Sequence, residues 1–189
     1  MSSKSKLIIN CGATHVSASE FGVSAGRLVL ESFQVQELKY DYSNQEEWLS
    51  ELAATLKMMR VSGKATVIAP SMLLLTKTIK IPHVDEARRA EVIQFEAEKN
   101  IPYPINEVSW DYEIISDDGV ETEIFLTSMK STAADDFCMA LSQAGVIPES
   151  IEASSILDYN AWKYCGLEND VILLNVGSRF TNLMIARED

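Results

Sequence analysis

The chain has 189 residues, 28 of them acidic and 16 basic, and its net charge at pH 7 is −12. This length is sufficient for a hydrophobic core without disulfides, and the acidic balance argues against a nucleic-acid partner because no basic run follows a phosphate backbone. Three cysteines, Cys11, Cys138 and Cys165, lie in apolar surroundings without CxxC spacing, so we expect buried thiols in a reducing compartment.

The first seventy residues predict three strands, one helix and a fourth strand. The three strands form a meander and are LIINCG (7–12), HVSASEF (15–21) and RLVLESFQVQEL (27–38). Ser43 and Glu46 form a capping box before an amphipathic helix over roughly 44–60. KATVIAP (64–70), apolar apart from Lys64 and Thr66, has the pattern of a buried parallel strand. This order is that of a ribonuclease H-like half-fold.

A block with a different pattern follows and predicts an inserted strand–helix–strand–strand subdomain. A strand over 72–82 precedes Asp85, which is expected to cap a charged helix over 86–99. The apolar face of that helix is predicted to carry Ala90, Ile93 and Ala97, with Val92 and Phe95 beside them. Residues 108–130 alternate around Asp118-Gly119 and predict a hairpin.

The remaining residues predict two more helices and two more strand regions. Thr132 and Asp135 open a helix with Phe137, Cys138 and Leu141 on its apolar face and Gly145 at its C-terminal cap. A strand near 147–153 and a helix near 155–165 precede a final hairpin over 171–189.

The two ends of the chain are similar to each other. IINCGATHVSASE at the start aligns with LLNVGSRFTNLMI at the end, so Asn10 matches Asn175 and Gly12 matches Gly177. Two ordinary Gly hairpins would be the alternative explanation. Each copy, however, stands where a ribonuclease H-like lobe would begin. In actin-like proteins two such turns face each other and hold phosphates through backbone N–H groups.

The most specific stretch is IKIPHVDEARRAEVIQFEAEKNIPYPINEVSWDYEI (79–114), with its acidic helix ending in Glu-Ala-Glu and its Ile-Pro-aromatic-Pro turn. With this stretch and the two hairpins, the chain resembles the PilM family, the actin-like component of type IV pilus assembly machines. The resemblance implies an actin-like α/β lobe with an inserted subdomain and a truncated second lobe. We therefore expect the chain to be part of a longer protein.

From this resemblance we predict that the chain is divided into three parts. Subdomain 1A comprises residues 1–71 and 146–167, the inserted subdomain 1C comprises residues 72–145, and residues 168–189 form the first hairpin of the second lobe.

The resemblance also implies ATP binding between two lobes. The residues that would contact the nucleotide phosphates are Asn10, Gly12, Ala13, Thr14, Asn175, Gly177 and Ser178, and His15 and Thr181 flank the same turns. Actin-like proteins usually carry Asp at the positions of Asn10 and Asn175, and an acid near Ser154, with Glu152 as the alternative. Magnesium favours charged oxygen ligands, so we expect ATP and magnesium only in the full-length protein and little or no hydrolysis.

The resemblance further implies a partner, the cytoplasmic tail of an inner-membrane PilN-like protein. Tyr103, between two prolines, is a candidate for the edge of that partner site, with packing inside the insertion as the alternative. No apolar run approaches the roughly 20 residues of a membrane span, so we predict a cytoplasmic protein that reaches the membrane through partners. No spacing of His15 and His83 favours a metal site.

Three other interpretations stay open: an active actin-like ATPase, an FtsA-like filament former, and a component of type II secretion related to GspL. Self-association is also left open, because an exposed hairpin edge invites pairing with another copy.

Overall fold

The computed structural model describes residues 5–41, 44–166 and 170–186. The chain forms two compact units: the first is built from residues up to 72 and from 136 onward, and the second from residues 73–135. Within the described ranges, no helix is long and apolar enough to cross a membrane.

Ten strands and four α-helices are present in the described ranges. In chain order they are β1 (Lys6–Cys11), β2 (His15–Ser24), β3 (Arg27–Glu37), α1 (Gln45–Met58), β4 (Gly63–Ala69), β5 (Leu75–Pro82), α2 (Glu86–Asn100), β6 (Val108–Asp117), β7 (Glu121–Lys130), α3 (Ser131–Gln143), β8 (Val146–Ala153), α4 (Ser154–Cys165), β9 (Val171–Val176) and β10 (Thr181–Ala186). The strand predicted over 72–82 begins only at Leu75, because Ser71–Leu73 form a 3₁₀ turn.

The first unit contains a five-stranded sheet with the order β3-β2-β1-β4-β8. Strand β2 pairs antiparallel with both β1 and β3, whereas β4 runs parallel to both β1 and β8. Two adjacent parallel strands need a crossover, and α1 supplies it between the meander and β4. The predicted ribonuclease H-like order and the α/β actin-like fold class are therefore confirmed.

The core of the first unit joins this sheet to α1 and α3. Trp48 of α1 and Phe137 of α3 are both fully buried, and their rings stack with centroids 5.9 Å apart. Leu52 and Leu56 follow Trp48 at helical spacing and are fully buried as well. Burial of each such side chain stabilises the fold by about 1.5–3 kcal/mol.

Helix α1 is capped by a different residue from the one predicted. The side chain of Asn44 accepts hydrogen bonds from the backbone N–H groups of Glu46 and Glu47. Asparagine is among the best N-cap residues because its side-chain oxygen satisfies donors that have no partner in the helix. The predicted cap, Ser43, lies outside the described residues.

Helix α2 differs from its prediction at the cap and on its apolar face. Asp85 occupies the N-cap position, but only its backbone oxygen accepts from Arg88 and Arg89; its side chain makes no cap hydrogen bond. Ile93 and Ala97 are fully buried as predicted, whereas Ala90 is exposed. The buried face is thus narrower than the sequence pattern indicated.

The second unit has the predicted strand–helix–strand–strand order and a three-stranded antiparallel sheet, β5-β7-β6. Ile93 packs with Ile79, Ile81 and Ile124, and Ala97 joins a second buried cluster with Leu126. A single helix therefore covers one face of this sheet, which gives the unit a core of its own.

Residues 136–143 of α3 belong to the first unit, whereas the sequence-based division counted them with the insertion. The physical reason is the burial of Phe137 and Leu141 in the core that contains Trp48. The assignment of these units to actin-like subdomains and lobes stays a prediction.

The final hairpin pairs β9 with β10 in a separate two-stranded sheet. On one face Ile172 stands opposite Ile185 and Leu174 opposite Leu183, and all four side chains are exposed. An exposed apolar face of this kind favours association, so self-association stays a prediction.

The prediction that all three cysteines are buried is wrong. Cys11 is buried, and its burial raises the pKa of its thiol because the thiolate would lose its hydration. Cys138 is half-buried and Cys165, the last residue of α4, is exposed. Local apolar neighbours in sequence do not report which side of a helix end faces the solvent.

Asp117 makes the second unit sensitive to acid. The backbone N–H of Gly119 and the side chain of His83 hydrogen-bond to its carboxylate and lower its pKa from the ordinary value of 3.8, and Arg89 lies 3.6 Å away. Because the pKa of Asp117 is lower in the folded than in the unfolded chain, its ionised carboxylate contributes to the free energy of unfolding. This contribution is complete above pH 3.8 and is lost as the pH falls through the lowered pKa.

We expect Asp117→Asn to destabilise the chain at neutral pH and to make little difference in acid. The measurement is urea unfolding of parent and variant at pH 7 and in steps from pH 4 down to pH 2, so that the series runs from 3.8 toward the lowered pKa. Asp111→Asn, on the same strand, serves as the control. A difference between parent and Asp117→Asn that is as large in acid as at neutrality would contradict this assignment.

Candidate functional site

The two Gly turns matched by the sequence repeat have the same geometry. The backbone N–H of Gly12 donates to the carbonyl of His15 at 2.8 Å, and that of Gly177 donates to the carbonyl of Phe180 at 2.9 Å. A Cβ atom at either glycine would lie 2.8 Å from the same carbonyl oxygen. Only glycine fits such a closing pair without displacing the backbone.

The two turns lie side by side in the first unit and enclose one pocket. The hydroxyl oxygens of Thr14 and Ser178 are 2.6 Å apart, and Thr14 also hydrogen-bonds Nδ1 of His15. The cavity measures about 410 Å³. All the residues predicted to contact phosphate line it: Asn10, Gly12, Ala13, Thr14, Asn175, Gly177 and Ser178. Thr181, which flanks the second turn, does not line it.

Three hydrogen bonds to backbone carbonyl oxygens support the Gly12 turn. The carbonyl oxygens of residues 12–14 accept, respectively, from the indole N–H of Trp48 at 3.2 Å, the hydroxyl of Tyr40 at 2.6 Å and the backbone N–H of Leu38 at 2.8 Å. The sequence analysis missed these residues as site residues. Their hydrophobic pattern placed Trp48 and Leu38 in a helix and a strand but did not indicate what their polar atoms contact.

A second polar cluster lines the opposite side of the pocket. The amide nitrogen of Asn182 donates to Ser71 at 3.0 Å and to Ser154 at 3.3 Å. Ser154, where the resemblance expects an acid, therefore lies in the pocket, whereas Glu152 is not among its lining residues. Sequence reasoning missed Ser71 and Asn182, because three distant segments bring this cluster together.

The second predicted strand-end asparagine has a partner outside this pocket. The side-chain nitrogen of Asn175 donates to Asp158 of α4 at 2.9 Å. Asp158 lines a neighbouring groove between α4 and β9 and is not among the residues that line the pocket between the Gly turns. The side-chain oxygen of Asn175 can still accept a hydrogen bond, because Asp158 contacts only the side-chain nitrogen.

Tyr103, the predicted partner residue, belongs to the second unit and is 41% exposed. The ammonium group of Lys130 lies 4.4 Å from the centre of its ring. Such a cation–π contact holds the ring in place without covering it. Its role toward a partner stays a prediction.

The comparison with protein families decides the identity of the fold. The family model described as type IV pilus assembly protein PilM matches residues 9–188. The chain belongs to the PilM family. Membership in this family favours pilus assembly over the secretion-related interpretation. No curated protein sequence matches the chain significantly.

Solved structures support the same fold. A structure titled as a PilM-PilN type IV pilus biogenesis complex is 19% identical, with a TM-score of 0.78, over 97% of this chain and 58% of the other. An actin-like ATPase-fold protein of unknown function from Bacteroides thetaiotaomicron is 10% identical, with a TM-score of 0.50, over 99% and 72%.

The cytoplasmic domain of EpsL, from the type II secretion system of Vibrio cholerae, is 9% identical, with a TM-score of 0.47, over 78% and 56%. In the comparison with the PilM-PilN complex, this chain spans little more than half the length of the PilM chain.

Proposed function

We propose that this PilM-family chain acts in the cytoplasm as a scaffold of a type IV pilus assembly machine and binds the cytoplasmic tail of an inner-membrane PilN-like protein. The family match over residues 9–188 is the observation that carries this proposal. A solved structure with a TM-score of 0.78 to this chain is titled as a complex of PilM with PilN, which supports a partner of this class.

The proposal includes phosphate binding, as in ATP, in the pocket between the Gly turns. Support comes from two turns that are closed by the same type of backbone hydrogen bond, at 2.8 and 2.9 Å, and from the hydroxyl oxygens of Thr14 and Ser178, which lie 2.6 Å apart. Turnover is not part of the proposed function. Asn10 and Asn175 occupy the positions where the resemblance expects carboxylates, and an amide neither carries negative charge nor acts as a general base at neutral pH.

The tail-binding part is tested by calorimetric titration of the chain with the N-terminal peptide of a PilN-like protein. We expect Tyr103→Ala to weaken binding at least about tenfold, because an aromatic ring on a rigid turn gives contact area at small entropic cost. Tyr164→Ala is the matched control, since that tyrosine is 93% exposed in the first unit.

A peptide that binds the parent and both variants equally would remove Tyr103 from the site. A peptide that fails to bind the parent would overturn the tail-binding part of the proposal.

A further inference from the structure

The lining of the pocket between the Gly turns is unusual for so acidic a chain. Aspartate and glutamate make up 28 of the 189 residues, yet neither occurs among the described residues that line this pocket. The titratable or charged side chains of the lining are Cys11, His15 and Arg179. A bound group with negative charge would therefore meet the guanidinium of Arg179 and no carboxylate among these lining residues.

The side chains in this lining do not fit magnesium. Magnesium is usually held in nucleotide sites through one or two carboxylates together with the substrate phosphates. The two strand-end positions carry the amides of Asn10 and Asn175, and Asp158 is turned to the amide nitrogen of Asn175. Across the described parts of the chain, no three His, Cys, Asp or Glu side chains lie close enough to hold a metal ion.

The neutral groups in the lining are suited to an oxyanion. Asn182 donates to the oxygens of Ser71 and Ser154, and the two hydroxyl oxygens lie 3.5 Å apart. One serine hydrogen can close that pair, and the other can donate to another acceptor. Thr14 and Ser178 share one hydrogen between them, so one further hydroxyl hydrogen of this pair points elsewhere, toward His15 or the cavity. Hydroxyl donors together with a guanidinium are the groups that bind phosphate oxygens.

From this lining we infer that the pocket binds a phosphate chain free of magnesium and discriminates against its magnesium complex. The inference rests on the phosphate-binding part of the proposed function and makes it more specific. Magnesium neutralises two charges of a polyphosphate, and the guanidinium of Arg179 would then attract the ligand less strongly.

The test is calorimetric titration of the full-length protein with tripolyphosphate and, in parallel, with ATP, each in EDTA and in excess magnesium. We expect affinity for both ligands to be roughly fivefold to tenfold higher in EDTA. If ATP binds more tightly than tripolyphosphate, the nucleoside adds contacts; if the two bind equally, the phosphate chain alone is recognised. Either result supports the inference when magnesium weakens binding.

A second test uses Asn10→Asp, which we expect to reverse the effect of magnesium on the affinity for tripolyphosphate and ATP. Asn10→Asp adds a carboxylate at the pocket, so binding in EDTA should fall through charge repulsion and magnesium should restore it. Asn106→Asp is the matched control, because it adds the same charge at an exposed site in the second unit. Urea unfolding curves establish that both variants fold.

The outcomes separate this inference from the proposed function. Binding of the parent that needs magnesium would overturn the inference and leave the phosphate site in place. Absence of binding in both conditions would overturn the inference and the phosphate-binding part together, while the tail-peptide titration would still decide the scaffold role.

Discussion

Trp48→Ala is expected to lower the free energy of unfolding by about 3–5 kcal/mol. Trp48 is fully buried, stacks on Phe137 at 5.9 Å and donates its indole N–H to the carbonyl of Gly12. Truncation leaves a cavity between α1 and α3 and an acceptor without its donor. The substitution therefore removes both core packing and the hydrogen bond that supports the Gly12 turn, because Trp48 supplies both.

Urea unfolding measures the effect, and a second variant separates the two contributions. Trp48→Phe keeps a ring against Phe137 but removes the N–H donor, so we expect a loss of about 1–3 kcal/mol. Tyr40→Phe removes only the hydroxyl that donates to Ala13 and tests a neighbouring support of the turn. A Trp48→Ala chain as stable as Trp48→Phe would show that the stack contributes nothing beyond the hydrogen bond.

Gly12→Ala is expected to weaken tripolyphosphate binding at least about tenfold, with a stability loss of about 1–3 kcal/mol. The new Cβ would lie 2.8 Å from the backbone oxygen of His15, which cannot rotate away as a side chain would. The turn must open, and its amide groups then leave their positions beside the pocket. Gly177→Ala should have the same effect at the second turn, where the distance to Phe180 is also 2.8 Å.

Gly22→Ala is the control for the glycine effect. Its Cβ would meet the carboxylate end of Glu31, a flexible side chain that can move aside. Calorimetric titration and urea unfolding of the three variants give the comparison. Unchanged phosphate affinity in both Gly12→Ala and Gly177→Ala would exclude the two turns as the binding element.

The order of strands and helices could be predicted because each element carries its own periodicity. The alternation in 108–130 predicted the hairpin correctly, and the mainly apolar run at 64–70 predicted the parallel strand correctly. The burial of a single residue was predicted wrongly where that residue type is compatible with more than one environment. Ala90 fits a buried or an exposed helix position equally well, and only packing of α2 on its sheet shows that it is exposed.

The pocket was predictable only where the repeat marks it. Gly12 and Gly177 stand at equal offsets from the asparagines before them, so the sequence shows that both turns are alike. Ser71 and Asn182 have no such mark, since they are 111 positions apart and meet only when the hairpin folds beside β4. The charge of the lining likewise depends on where Asp158 points, which no local pattern indicates.

The pairing of Asn175 with Asn182 across the final hairpin has a consequence for strand alignment. Side chains alternate between the two faces of a strand, so a shift of β10 by one residue would turn Asn182 outward, and in one of the two directions it would bring Leu183 to the serines. An apolar side chain there would leave the hydroxyl groups of Ser71 and Ser154 without their amide partner. The polar side chains of the pocket therefore contribute to the register of the hairpin: the observed alignment gives both serines the amide of Asn182 as a donor and leaves Leu183 on the exposed face.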